Sequence, residues 1–206
     1  MRTKTEGLSE KLIEVARVEF LENGYESASL RNIAKNAEMT TGAIYRRYPD
    51  KEALFDVLVK ETKEGFLQMF KSAQDGFFDL IDEEKTNISY ELTNDYLQKL
   101  VEYVYDNLED FKLILCSGEG SKHQDFLHEL TELEVTRKNE YYEILRKNGK
   151  LEGEIHPDVL HMLVSAYFTS LFEVVKHDIK KEEALKHISQ IATFFENGFK
   201  SLIKFI

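Results

Sequence analysis

Between residues 40 and 47 the chain reads Thr-Thr-Gly-Ala-Ile-Tyr-Arg-Arg, a run dominated by small and hydrogen-bonding side chains. At helical spacing Thr40, Thr41, Gly42, Tyr45, Arg46 and Arg47 form an outer face, while Ile44 and Tyr48 point inward. Threonine hydroxyls at a helix N-terminus suit phosphate oxygens, because the unpaired amides and the helix dipole attract anions there. Gly42 leaves room for a DNA backbone or base edge, and Arg46 can pair bidentately with guanine. The chemistry on offer is recognition of double-stranded DNA. The alternative is an ordinary short helix with a solvated face.

Such residues need a frame, and the flanking sequence supplies one. A helix carrying Leu12, Ala16 and Phe20 on one face is expected to start at Ser9 as N-cap and to end at Asn23-Gly24, with Tyr25 packing back on Phe20. Ser29 opens a second helix that buries Leu30, Ile33, Ala34 and Ala37. Only Glu38 and Met39 separate it from the third, Thr40–Tyr48, which is the spacing of a helix-turn-helix with its second helix in the major groove. Pro49-Asp50 stops that helix, and Asp50 can cap a long fourth one carrying Leu54, Leu58, Phe66 and Phe70 to about Ser72.

Beyond it, residues 73–94 read as the least regular part, with the acidic run Asp82-Glu83-Glu84. Five further helices are expected, one around Leu97–Leu108, a short one around Phe111–Leu115, one reaching Lys147 before Asn148-Gly149, one started by His156-Pro157-Asp158, and one over about Glu182–Leu202. The predicted fold is all-α, with a three-helix head, a larger helical body and about nine helices in total.

Net charge is −11, which looks wrong for a DNA binder until its distribution is considered. Residues 1–50 hold 8 basic and 8 acidic groups, so the whole excess lies in residues 51–206. Within 29–51, Arg31, Lys35, Arg46, Arg47 and Lys51 face only Glu38 and Asp50. An acidic body with a basic tip repels DNA except at one surface. Composition, 42% hydrophobic and 32% charged, is that of a soluble globular chain. The single Cys116 excludes an internal disulfide and suits a reducing cytoplasm. The longest uncharged apolar stretch, Val159–Phe172, is short for a bilayer span, and no signal peptide is expected near Met1.

The stretches Leu30–Ala37, Thr40–Tyr48 and Asp50–Phe55 resemble the DNA-binding domain of the TetR family of transcriptional regulators, over about residues 9–60. The resemblance implies that Tyr45 and Lys51 contact phosphates, that Thr40, Thr41, Gly42 and Arg46 meet the groove, and that Ser29 touches the backbone. Glu38 departs from the family, which often has glycine in the turn; a left-handed non-glycine residue there costs on the order of 1 kcal/mol. The resemblance also implies an operator-bound homodimer, a repressor released by a small molecule. The expected organisation is a DNA-binding domain over 1–50, continuing into a connecting helix at 51–72, and a ligand-binding and dimerisation domain over 73–206.

Two apolar faces on the last helices fit dimerisation, with Leu171, Val175, Ile188, Ile191, Phe195 and Phe199 as interface candidates. A helix buried within one subunit is the alternative. Tyr103, Cys116, Tyr141, Tyr167, Phe168 and Thr169 are candidates for a pocket that takes a lipophilic, neutral or cationic inducer, and ordinary core is the alternative for each. Gly118-Glu119-Gly120-Ser121-Lys122 lacks phosphate-loop spacing. The histidines give no i,i+4 pair, so no metal is expected, and neither a catalytic constellation nor a cofactor or membrane partner is indicated. The competing function is a helical small-molecule carrier or enzyme whose head is a protein-interaction module.

Overall fold

Local capping chemistry sets four of the helix starts in the computed structural model, which describes residues 4–82 and 89–206. Ser29 Oγ accepts from the Asn32 amide to cap α2 (Leu30–Asn36), and Thr40 Oγ1 accepts from the Ala43 amide to cap α3 (Thr41–Tyr45). Asp50 Oδ1 accepts from the Ala53 amide at 2.7 Å and so starts α4 (Lys51–Asp82). His156 and Pro157 open α8 (Pro157–Lys176) with Asp158 in the first turn. The remaining helices are α1 (Lys4–Ser27), α5 (Ser89–Asp106), α6 (Leu108–Cys116), α7 (Phe126–Lys147) and α9 (Lys181–Leu202). A two-residue strand β1 (Leu151–Glu152) pairs antiparallel with β2 (Lys204–Phe205), Leu151 opposite Phe205.

Several boundaries differ from expectation, among them the end of α3, which stops at Tyr45 rather than Tyr48. Helix α1 begins at Lys4, so Ser9 lies inside it, and its expected capping role does not apply. Helix α4 runs ten residues past Ser72, and α5 starts at Ser89, so much of the stretch expected to be irregular is helical. Of the acidic run, Glu83 and Glu84 lie outside the described residues. The break at Gly24 is present, at φ 71° and ψ 163°, where glycine meets no Cβ penalty, and the Tyr25 ring stacks on Phe20 at 6.1 Å.

The chain divides into two compact units, Met1–Gly65 with Asn107–Asp125, and Phe66–Asp106 with Phe126–Ile206. In the first, Phe20 packs edge-on against Phe55 at 5.0 Å, with Leu12, Ile33 and Ile44 fully buried around the three short helices. Each such side chain contributes about 1.5–3 kcal/mol by burial. Helix α6 joins this unit: Asp110 takes Arg17 as ion-pair partner and accepts from Thr62 Oγ1, while the Tyr25 amide donates to Ser117 O at 2.7 Å. The glycine loop after α6 is held close. A Cβ on Gly120, at φ 82°, would stand 2.6 Å from Glu26 Cγ.

The second unit is built on an aromatic cluster. Phe66, Phe126 and Phe172 meet at 5.7–5.9 Å, and Phe70 lies edge-on to Phe168 at 5.7 Å. Among the described residues only α8 is long and apolar enough to cross a membrane, and Leu160, Val164, Phe168 and Phe172 along it are buried inside this unit.

Candidate nucleic-acid interface and body cavity

Buried Glu19 on α1 sets the start of α2. Its Oε1 accepts from the Ser29 amide at 2.9 Å and from Asn32 Nδ2 at 3.4 Å, placing a carboxylate at the positive end of that helix. The turn into α3 passes through Glu38 at φ 55°, the strained conformation expected there, with its carboxylate ion-paired to Lys11 at 2.7 Å. Buried Ile44 then fixes how α3 sits on the head.

This leaves Thr40, Gly42, Tyr45, Arg46 and Arg47 exposed, with Thr41 half-buried beside them. Tyr45 shows 51% of its surface. Arg46 is the C-terminal cap of α3 in helical conformation, and the Tyr48 amide still donates to Ile44 O at 2.9 Å, so both arginines extend the same helical face. Ser29 and Lys51 are half-buried. Lys51 Nζ donates to Glu26 O at 2.8 Å and lies 4.7 Å from the Tyr25 ring centre, so it also ties α4 to the end of α1. Burial, then the Glu52 hydrogen bond, pushes the Tyr25 hydroxyl up to about 12, so it is neutral at physiological pH.

Nothing lies within 4 Å of a Cβ built on Gly42. Its smallness is not needed by the chain itself. Gly42→Ala should leave the fold intact, or raise stability by up to about 1 kcal/mol through helix propensity. Operator affinity should nonetheless fall where the added methyl meets DNA. A melting curve paired with a binding titration checks this; unchanged affinity would remove Gly42 from the interface.

The sequence did not single out a second feature of the head. His123, 4% exposed, pairs through Nε2 with Asp56 Oδ1 at 3.0 Å, while Lys122 Nζ holds the same oxygen at 2.7 Å. Its Nδ1 is buried without a hydrogen bond. Burial pushes the imidazole below its ordinary value, with the Asp56 hydrogen bond partly offsetting it. The unfolded chain therefore binds the proton more readily. The stability His123 contributes is complete above about pH 6.5 and is lost as pH falls through the window beneath that. Melting temperatures at about pH 7.5 and 5.5 should drop less in His123→Gln than in the unmodified protein. An equal drop would exclude His123 as the source.

In the second unit α4, α5, α8 and α9 enclose a cavity of about 40 Å³. Its walls include Phe66, Leu100, Val104, Phe168, Phe172 and Ile188, with Tyr105 contributing its ring while its hydroxyl donates to Ile179 O at 2.6 Å. Of the expected pocket residues, Phe168 lines this cavity. Tyr103 lies against Phe66 at 6.3 Å, Tyr167 packs on Phe195 at 5.3 Å, Tyr141 sits beside Tyr142, and Thr169 is exposed. Cys116 is exposed and belongs to the first unit. Leu171, Val175 and Ile188, expected at a dimer interface, line the cavity instead, and Val175 and Ile188 are buried within the chain. Ile191, Phe195 and Phe199 are half-buried on α9, where Phe194 is exposed at 73%.

A capped helix-turn-helix presenting hydroxyls, a glycine and two arginines defines a DNA-binding head. Residues 12–58 match the family model of bacterial regulatory proteins, tetR family. The chain is similar to the HTH-type transcriptional regulator UidR of Escherichia coli K12, 23% identical over 98% of this chain and 94% of that protein. In fold it resembles the TetR family regulator PfmR of Thermus thermophilus (15% identity, TM-score 0.58, covering 93% and 96% of the two chains). It also resembles Salmonella enterica GusR (19% identity, TM-score 0.54, 97% of each chain). The head at residues 12–58 is thus of the tetR regulatory type, and the similarity to a transcriptional regulator extends along nearly the whole chain.

Proposed function

We propose that this regulator is a cytoplasmic repressor that binds its operator as a homodimer and is released by a lipophilic small molecule. In this reading Thr40, Thr41, Gly42 and Arg46 meet the groove, and Ser29, Tyr45 and Lys51 hold phosphates. The observation that carries the inducer half is the cavity, whose walls are aliphatic and aromatic with no charged side chain among them. That lining favours a neutral lipophile over an anion. At about 40 Å³ the cavity is well below the roughly 300 Å³ of a typical ligand site, so an inducer must open it. Opening displaces Phe66 and Phe70, which belong to the same helix as Lys51.

A ligand that weakens operator binding a hundredfold must prefer the opened state by about 2.7 kcal/mol. The test is a thermal-shift screen of neutral hydrophobes, lipophilic cations and fatty acids, with hits retitrated against operator. Neutral or cationic hits that weaken operator binding are expected. Stabilisation by anions alone would overturn the ligand class. Hits that leave operator affinity unchanged would overturn the inducible reading.

A further inference from the structure

Away from both the head and the cavity, α7 and α8 bring metal-ligating side chains together. His128 and Glu132 are four residues apart on α7 and so share a face. His161, in the second turn of α8, reaches the same place: its Nε2 lies 2.9 Å from Glu132 Oε1, and its ring centre lies 5.9 Å from that of His128. One ligand atom from each of the three falls within 4.8 Å of the others. An ion pair needs only His161 and Glu132. The second imidazole converts the pair into a two-nitrogen, one-oxygen donor set on two helices.

We propose that His128, Glu132 and His161 form a site for a divalent transition-metal ion of the zinc or nickel class, with water completing the coordination. Imidazole nitrogen selects such borderline ions over calcium or magnesium, which take oxygen ligands. Bonds of about 2.0–2.2 Å put tetrahedral donor atoms about 3.3–3.6 Å apart. The widest donor separation must therefore close by about 1 Å, while the 2.9 Å His161–Glu132 pair opens slightly. His128 and Glu132 are exposed and His161 is half-buried, which leaves their side chains room to rotate toward one ion. The ion displaces the His161–Glu132 pair and ties α7 to α8, so binding raises the stability of the folded chain.

The test titrates the metal-free, full-length protein with Zn²⁺ and separately with Co²⁺. Expected results are one equivalent bound per chain, a higher melting temperature reversed by EDTA, and a Co²⁺ visible band. Binding should weaken by about tenfold or more in His128→Ala and in His161→Ala, and Ca²⁺ and Mg²⁺ should have no effect. Histidine carbethoxylation on the unmodified protein gives a readout independent of any variant: Zn²⁺ should slow reaction at His128 and His161 and leave exposed His187 unchanged. No binding at about 100 μM metal overturns the proposal, as does equal binding by the double histidine variant or equal protection of His187.

Discussion

Operator affinity is expected to fall on the order of a thousandfold when Phe194 is replaced by glutamate, because two half-sites read together gain about 10²–10⁴ over one. The Phe194 ring is 73% exposed on α9 and meets Phe195 edge-on at 5.5 Å. A large apolar side chain left in water stabilises little within the chain. Met162 on α8, at 66%, and Leu202 on α9, at 47%, are exposed in the same unit. In the proposed homodimer a second copy would cover these side chains. A carboxylate at position 194 would be trapped in that contact at a cost of several kcal/mol, while the single chain loses almost no packing. Sedimentation should show monomers for Phe194→Glu and dimers for the unmodified protein. A variant that stays dimeric with full operator affinity would place the interface elsewhere.

Arg46→Ala should produce the second largest effect, a loss of about 1–3 kcal/mol per half-site confined to the cognate sequence. Arg46 is exposed, so its removal leaves the head's stability within about 0.5 kcal/mol. Lys51→Ala should differ in kind. It should weaken cognate and random DNA alike and flatten the salt dependence by about one charge per subunit. It should also lower head stability, because Lys51 Nζ bridges to Glu26 O. Titrating both variants against operator and scrambled duplex separates the two roles. Equal losses on both duplexes for Arg46→Ala would remove that residue from base readout.

The head was legible because its signals are local. Ser29, Thr40 and Asp50 each cap a helix through an oxygen three residues from the amide it accepts, so residue type and spacing carry the geometry. Ser9 shows the limit of that logic, since a good capping residue does not stop a helix that its upstream neighbours can extend to Lys4. The body was legible in helix number and order but not in which faces meet. Nothing local marks which aromatic residues line the cavity: its wall is apolar, and Tyr105 on it spends its hydroxyl on Ile179 O. Ile188 follows the same apolar period as Phe195 along α9, and only tertiary packing decides which turn faces inward. The His128–Glu132 pair is an i,i+4 spacing in the sequence, but it supplies only two ligands, and His161 arrives from another helix.

Whether α3 reads DNA is tested by a fluorescence-anisotropy titration across salt concentrations. The probes are the DNA upstream of the protein's own coding region and a scrambled duplex of equal composition. Tight binding to the first is expected, with weaker binding to the second and a log–log salt dependence for both whose slope reflects the phosphates neutralised. Equal affinity for the two duplexes, or binding insensitive to salt, would contradict DNA reading by α3.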